Sequence, residues 1–320
     1  MSTKEEDELV IRQRHMDNLL RDLNLLIPYF ETKTITNIFI YGDGRIQVDD
    51  FRKGISDTGK VISAAGRMRI IHNLASMSET PIDIFARPVL ESIIPKYNIR
   101  TTAILPPWVE KPEITFRRPA GKILTLEEYR EQNRISESYY NLLIEHIEKR
   151  SNIIISGSTG SGKTTFVNAC IEKMREFTPD ERFYVIEDTP ELQCGSKNLT
   201  QLYIRKDQAI FAIQTALRWS PKRIIFGELR SGDVAVELLE AWNTGHPGNI
   251  TTIHADSAES TIPRLEGLLR QKYSGALPDI SDTVQLIVHL TYGRKIGKHG
   301  EPTGPVVDAI LTTKEIMKLK

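Results

Sequence analysis

Cysteine, net charge and long apolar runs are what this chain lacks, and each absence removes a class of function. Cys170 and Cys194 are the only two cysteines in 320 residues. They cannot build a disulfide framework or a Cys-x-x-Cys zinc site, which fits a reducing cytosol. Lysine plus arginine equals aspartate plus glutamate, 42 of each. That balance lacks the footprint of a dedicated nucleic-acid binder, so no strong direct nucleic-acid binding is expected, although a local basic patch stays open. No apolar run approaches the ~18 residues of a membrane span. The opening stretch MSTKEEDELV is acidic and has no apolar signal core, so a cytoplasmic, unexported chain is expected. Internal repeats and low-complexity tracts are absent too.

What is present suffices for a buried core: 40% of residues are apolar and 26% charged. After an acidic head expected to fray, IRQRHMDNLLRDLNLLIPYF places Ile11, Leu19, Leu20, Leu23, Leu26 and Ile27 at roughly helical spacing. TNIFIY and RIQVDD flank Gly42, Asp43 and Gly44 as a hairpin, and VISAAGRMRIIHNLASM reads as helix. From Pro81 to Arg118, short β-like runs are broken by prolines. These segments predict a smaller α+β domain over residues 1–118, followed by a linker over 119–124. Thr125 and Glu128 then fit a capping box that opens a helix. Over 125–320 strands and helices alternate: NIIIS, TTFVNACIEKM, RFYVIE, AIFAIQTALRW, RIIFGE, DVAVELLEAW, NITTIH, STIPRLEGLL, TVQLIVHL and VVDAIL. That alternation argues for crossover units and an α/β sheet. A basic turn, GRKIGKHG, joins the last two strands.

Directly after NIIIS comes GSTGSGKTT, residues 157–165. Gly157, Gly162, Lys163 and Thr164 match G-x-x-x-x-G-K-[ST] between a strand and a helix, the context this phosphate loop requires. Its glycines let the backbone N–H groups of Ser158, Thr159, Gly160 and Ser161 converge on phosphates, while the following helix, with Thr165 in its first turn, adds its dipole. Lys163, on a loop expected to face solvent, reaches the β/γ-phosphates, and Thr164 offers its hydroxyl to Mg²⁺. The chain is therefore expected to bind ATP with Mg²⁺.

Turnover needs acids. Glu228 ends the strand RIIFGE where a Walker-B acid belongs, and Glu187 and Asp188 end the strand before it. Together they can hold the Mg²⁺ shell (Thr164, Glu187, Glu228) and polarise a water; the alternative for Glu187 and Asp188 is a capping or turn role.

The ordered set GSTGSGKT, IEDTPEL, RIIFGELRSGD and TGHPGNITTIHA resembles the hexameric secretion ATPases of the type II/type IV superfamily, and within them the TrbB-type conjugative-transfer branch. The resemblance covers most of residues 85–290. It implies a RecA-like P-loop ATPase domain that hydrolyses ATP to energise a type IV secretion or conjugative DNA-transfer apparatus or its pilus. It also implies that His246 and His254 form a His box facing the γ-phosphate, their alternatives being turn and strand-end residues. Arg100, before a Pro-Pro, and Arg117, before the linker, would contribute guanidinium groups, with Arg118 competing for the second place. Arg230 would couple neighbouring boxes. The implied partners are five further copies in a homo-hexamer, inner-membrane secretion-channel components and a coupling protein, with peripheral attachment at the cytoplasmic face of the inner membrane. Lys222 stands where the family has aspartate, at a position expected to be exposed. The four-cysteine zinc module of the pilus-assembly and type II secretion ATPases is missing, and so is the AIRNLI-type segment of the retraction ATPases. Competing readings are a motor of pilus retraction or type II secretion, a nucleotide-gated scaffold with little turnover, and a helicase. No LSGGQ-like signature supports ABC transport.

Overall fold

Apolar residues alternate along most strands of the first third of the chain and run nearly unbroken along the central strands of the remainder. This difference separates two units, Met1–Gly121 and Lys122–Lys320. The computed structural model describes residues 3–50, 53–78, 85, 88–118, 124–293 and 304–318. Residues 119–123 of the expected linker, 294–300 of the expected basic turn and 81–84 of the β-like run lie outside them.

The first unit runs α1 (Thr3–Asp22), α2 (Ile27–Glu31), β1 (Ile35–Ile40), β2 (Arg45–Asp50), β3 (Gly54–Val61), α3 (Ala64–Met77), β4 (Val89–Ile94), β5 (Ile99–Ile104) and β6 (Glu113–Arg117). Its strands form one antiparallel sheet in the order β3-β2-β1-β6-β5-β4. Side chains of a strand point alternately to opposite faces. In β5 the buried set is Ile99, Thr101 and Ala103, and in β6 it is Ile114 and Phe116. The apolar members join Leu19, Leu23, Leu26, Phe30, Ile70 and Leu74 from the helices in a single core. The other face mixes Arg100, Thr102, Thr115 and Arg117 with Phe39, Ile93 and Ile104. The acidic head is helical from Thr3 instead of frayed, and the expected single helix breaks between Asp22 and Ile27. Pro28 lies in the first turn of α2, where its missing N–H costs nothing. The polar edge strand β3 carries no apolar alternation and was not expected.

The second unit runs α4 (Leu126–Glu131), α5 (Glu137–Glu148), β7 (Ile153–Gly157), α6 (Lys163–Phe177), β8 (Phe183–Glu187), β9 (Leu199–Tyr203), α7 (Ala209–Trp219), β10 (Arg223–Leu229), α8 (Gly232–Asn243), β11 (Ile250–Ile253), α9 (Ala258–Leu269), α10 (Ile280–Thr283), β12 (Leu286–Gly293), β13 (Gly304–Thr312) and α11 (Thr313–Lys318). The expected capping box is present: Thr125 Oγ1 accepts from Glu128 N at 3.1 Å, and Glu128 Oε2 accepts from Thr125 N at 3.0 Å. The sheet order is β13-β12-β7-β11-β10-β8-β9. All neighbours pair parallel except β12 and β13. Both faces are covered, as an apolar run without alternation requires. Ile154, Phe226 and Ile253 feed a core with α7, α8 and α9, while Ile153, Ile155 and Val185 feed a second core with α4, α5 and α6. Parallel pairing puts the carboxyl ends of β7, β8, β10 and β11 along one edge, the edge where open α/β sheets bind ligands.

Candidate functional site

The loop between β7 and α6 is shaped by two glycines. Gly157 has φ +150°, and a Cβ there would overlap the carbonyl of Leu290 and the Ser161 hydroxyl. Gly162 caps α6 at φ +88°, and a Cβ there would overlap Pro305. Ser158, Thr159 and Gly160 between them are exposed, while Thr164 and Thr165 are half-buried in the first turn of α6. Lys163 corrects an expectation. It opens α6 as a buried residue, 8% exposed, and does not stand in solvent. Its ammonium donates to the carbonyls of Gly157 and Ser158, both at 2.9 Å, and lies 3.3 Å from His254 Nδ1. An ammonium has three protons, so this geometry uses two on the loop and turns one to the imidazole.

From Lys163 a line of polar and charged side chains crosses the strand ends. His254 follows β11, and its Nε2 is 2.7 Å from Glu228 Oε1 on β10. Glu228 Oε2 accepts from Arg230 at 2.8 Å, and Arg230 donates its other terminal nitrogen to Asp188 at 2.5 Å. Arg230 thus bridges the acids that end two neighbouring strands. The His254 contact has the distance of a hydrogen bond but not its direction, so Glu228 Oε1 remains a buried acceptor without a hydrogen bond. Ser161 Oγ is likewise buried and unpartnered. A buried polar atom without a partner is costly, so both atoms suit a site that a polar ligand completes.

Glu187 is expected in the Mg²⁺ shell, and the structure turns it elsewhere. It is 3% exposed. Its Oε2 accepts from the backbone N–H groups of Glu191 and Leu192, both at 2.9 Å, and its Oε1 accepts from Gln201 Nε2 at 2.7 Å. Burial pushes its carboxyl up to about 7, against the pull of these N–H donors. Asn168 of α6 pins the same loop, donating to Glu191 O at 3.0 Å and accepting from Gln193 N at 2.9 Å. Glu187, Asn168 and Gln201 therefore organise the segment after β8, while Asp188 and Glu228 are joined through Arg230. Asn168 was missed, although an amide among the apolar residues of VNACI was the available signal.

His246 also departs from expectation. It precedes β11, whereas His254 follows it, so the two lie at opposite edges of the sheet. Four strand residues at ~3.3 Å each put roughly 13 Å or more between them. The loop carrying His246 is held at the amino edge. There Arg223 donates to Gly248 O at 2.7 Å, Arg150 to Pro247 O at 3.2 Å, and Asn249 N to Asn152 Oδ1 at 3.0 Å. Within one copy of this unit, His254 reaches the phosphate loop and His246 does not. Lys222 at this edge is exposed, as expected.

In the first unit, Arg100 and Arg117 are Cα partners on β5 and β6, on the face away from that unit's core. Arg118 is spent on the carbonyls of Ile35, Tyr29 and Phe30, which leaves Arg117 as the exposed member of the pair. Among the described residues no group of three or more His, Cys, Asp or Glu could hold a metal ion. A few oxygen ligands such as Thr164 and Glu228 suit Mg²⁺, which keeps waters and binds through substrate phosphates.

Residues 67–307 match the family model described as type II/IV secretion system protein. The conjugal transfer protein TrbB of Rhizobium radiobacter is 36% identical over 260 residues, 80% of this chain and 79% of that protein. The type IV secretion system protein VirB11 of Bartonella quintana (strain Toulouse) is 28% identical over 314 residues, 85% of this chain and 86% of its own. Among solved structures, the Legionella pneumophila ATPase DotB superposes with a TM-score of 0.67 at 20% identity, covering 93% of this chain and 82% of DotB.

Proposed function

The chain belongs to the type II/IV secretion system protein family, and from that membership we propose that it is the ATP-hydrolysing motor of a conjugative DNA-transfer or other type IV secretion apparatus. The observation that carries this reading is the convergence of Lys163, His254 and Glu228 on one glycine-shaped loop.

The loop backbone and the α6 N-terminus bind the triphosphate. Lys163 exchanges the carbonyls of Gly157 and Ser158 for the β/γ-phosphates, and His254, now beside the γ-phosphate in place of its lysine partner, registers whether that phosphate is present. Glu228 takes the proton from the attacking water through Oε1, beside His254, while Arg230, itself held by Asp188, keeps the carboxylate in place. Thr164 and Glu228 would help to hold Mg²⁺, which would supply charge neutralisation on the phosphates. Arg100 and Arg117, register partners on neighbouring strands, offer two guanidinium groups of the kind that suits a phosphate. The chain is read as one of six copies in a ring built by repeated heterologous contacts.

Among the described residues no helix is long and apolar enough to cross a membrane. The ring is read as cytoplasmic, held at the inner membrane through secretion-channel components and a coupling protein. The test is ATP turnover by the purified chain, with light scattering in Mg²⁺ and a non-hydrolysable ATP analogue. The expected results are hydrolysis and a hexamer; a strict monomer without turnover under all nucleotide conditions overturns the reading.

A further inference from the structure

Behind the phosphate loop lies a buried polar chain that the chemistry above leaves unused. Ser156, the residue before Gly157, is 0% exposed. Its hydroxyl is 3.0 Å from Nδ1 of His289, its register partner on β12. From α9, Thr261 Oγ1 donates to the same hydroxyl at 2.8 Å. Thr261 also reaches the carbonyl of Ser257 at 2.9 Å, and Ser257 is the α9 N-cap three positions after His254. Three side chains thus tie the strand that ends in the phosphate loop, its neighbour β12 and the segment leaving His254.

Sterically, apolar residues could fill these positions without needing partners. Buried polar groups cost stability unless bonded, and when fully bonded they specify one geometry. The imidazole is 2% exposed. The charged groups facing it are Asp308 of β13, Glu259 of α9 with Asp256 just before it, and Lys163 of the loop. Burial outweighs the acids and holds the imidazole below the ordinary histidine range, so it is neutral at pH 7. With its proton on Nε2, Nδ1 accepts from Ser156, and the Ser156 oxygen is left to accept from Thr261. Were the Nδ1 lone pair lost, the Ser156 proton could be satisfied only if Thr261 turned its own proton to Ser257. Both hydroxyls would have to reverse together.

We propose that His289 is a positioning residue for the ATPase, holding the phosphate loop in register with the His254 segment through Ser156 and Thr261. It touches no substrate. Its effect falls on the alignment of Lys163 and His254 at the moment of reaction, after nucleotide has bound. This rests on the ATPase reading above.

The experiment compares four purified full-length variants, His289→Asn, His289→Leu, Thr261→Val and the double variant His289→Leu/Thr261→Val, in ATP turnover and in calorimetric ATP-analogue affinity. The asparagine side chain keeps an acceptor near the Nδ1 position, whereas the leucine side chain removes it. His289→Leu is expected to lower kcat about tenfold with analogue affinity within about twofold of the parent, and His289→Asn to recover most of that loss. Thr261→Val should lower kcat similarly, and the double variant should lose little more than either single change, because both act through Ser156. Equal kcat losses for His289→Asn and His289→Leu, or additive losses in the double variant, would overturn the proposal. Parent-like kcat in folded His289→Leu and Thr261→Val would do the same. If His289→Leu fails to fold, Thr261→Val and His289→Asn decide: the former must lose kcat and the latter keep it. A parent chain that hydrolyses no ATP would instead defeat the underlying reading, which separates the two failures.

Discussion

At the carboxyl edge of the second unit's sheet, Lys163, His254, Glu228, Arg230 and Asp188 form a charged line with solvent beside it. The His254 and Arg230 side chains are 42% and 44% exposed. At the amino edge of the same strands, Arg223 is 0% exposed, and its guanidinium is distributed among Glu181 at 2.8 Å, Gly248 O at 2.7 Å and Thr178 Oγ1 at 3.1 Å. Asn249 there donates to Asn152 Oδ1 at 2.9 Å and to His246 O, and accepts from Ile224 N at 2.7 Å. Residue chemistry is alike at the two edges: arginine, carboxylate, histidine, amide. The difference lies in what has been left over. The amino edge assigns these donors and acceptors within the fold, whereas the carboxyl edge keeps Ser161 Oγ and Glu228 Oε1 buried and unpaired.

The largest test of this contrast is Lys163→Ala. It should abolish ATP turnover, ~10³-fold or more, by removing the charge aimed at the β/γ-phosphates. Circular dichroism should still report a folded chain, and calorimetry a weakened ATP titration; full activity would move the site away from the carboxyl edge.

Next in size is Glu228→Gln. Turnover should fall ~10²-fold or more while ATP still binds, because the amide keeps the shape but cannot take a proton. Single-turnover kinetics separate the two effects, and a parent rate would pass the water-activating role to Asp188.

The two histidines give the sharpest contrast between edges. His254→Ala should cost about 10- to 100-fold in kcat. His246→Ala should cost under about threefold, since its loop belongs to the far edge. Equal losses would show that the amino edge takes part in turnover, which only another copy of the chain could arrange.

Smallest in activity is Arg223→Met. Glu181 keeps its second partner, Arg150, so the loss should fall near the low end for a broken buried pair, about 3 kcal/mol. Urea denaturation should register it, with kcat per folded molecule within about twofold of the parent.

How legible this was from residues alone varies with burial. The strands NIIIS, RFYVIE and RIIFGE are covered on both faces, so their apolar runs announce them, and the phosphate loop between NIIIS and its helix was plain. The edge strand β3 packs little side-chain surface, and β9 offers only Leu199 and Leu202 to the cores, which leaves little apolar pattern to read. Glu187 looked like a partner of Glu228, because a strand-end acid reads the same whether its oxygens face a ligand or its own loop; Gln201, 14 positions on, decides which. His246 was assigned with His254 through the resemblance of TGHPGNITTIHA to a His box. NITTIH lies between them, and an all-parallel neighbourhood sends the two ends of such a strand to opposite edges, a deduction open at the outset.

The meeting of Gly162 with Pro305 has a consequence for genetics. A screen scoring only growth or transfer would record any Gly162 substitution as a lost phosphate contact, because the residue lies inside the loop motif. Yet the added carbon would first strike Pro305 on β13, more than a hundred residues downstream. Some alleles that look like nucleotide-binding mutants would then be packing mutants in disguise. Pro305→Gly is the natural intragenic suppressor: it would relieve the overlap while leaving the φ of +88° that disfavours any side chain at 162. Rescue should be partial, and its extent would apportion the defect between the loop and the strand it leans on.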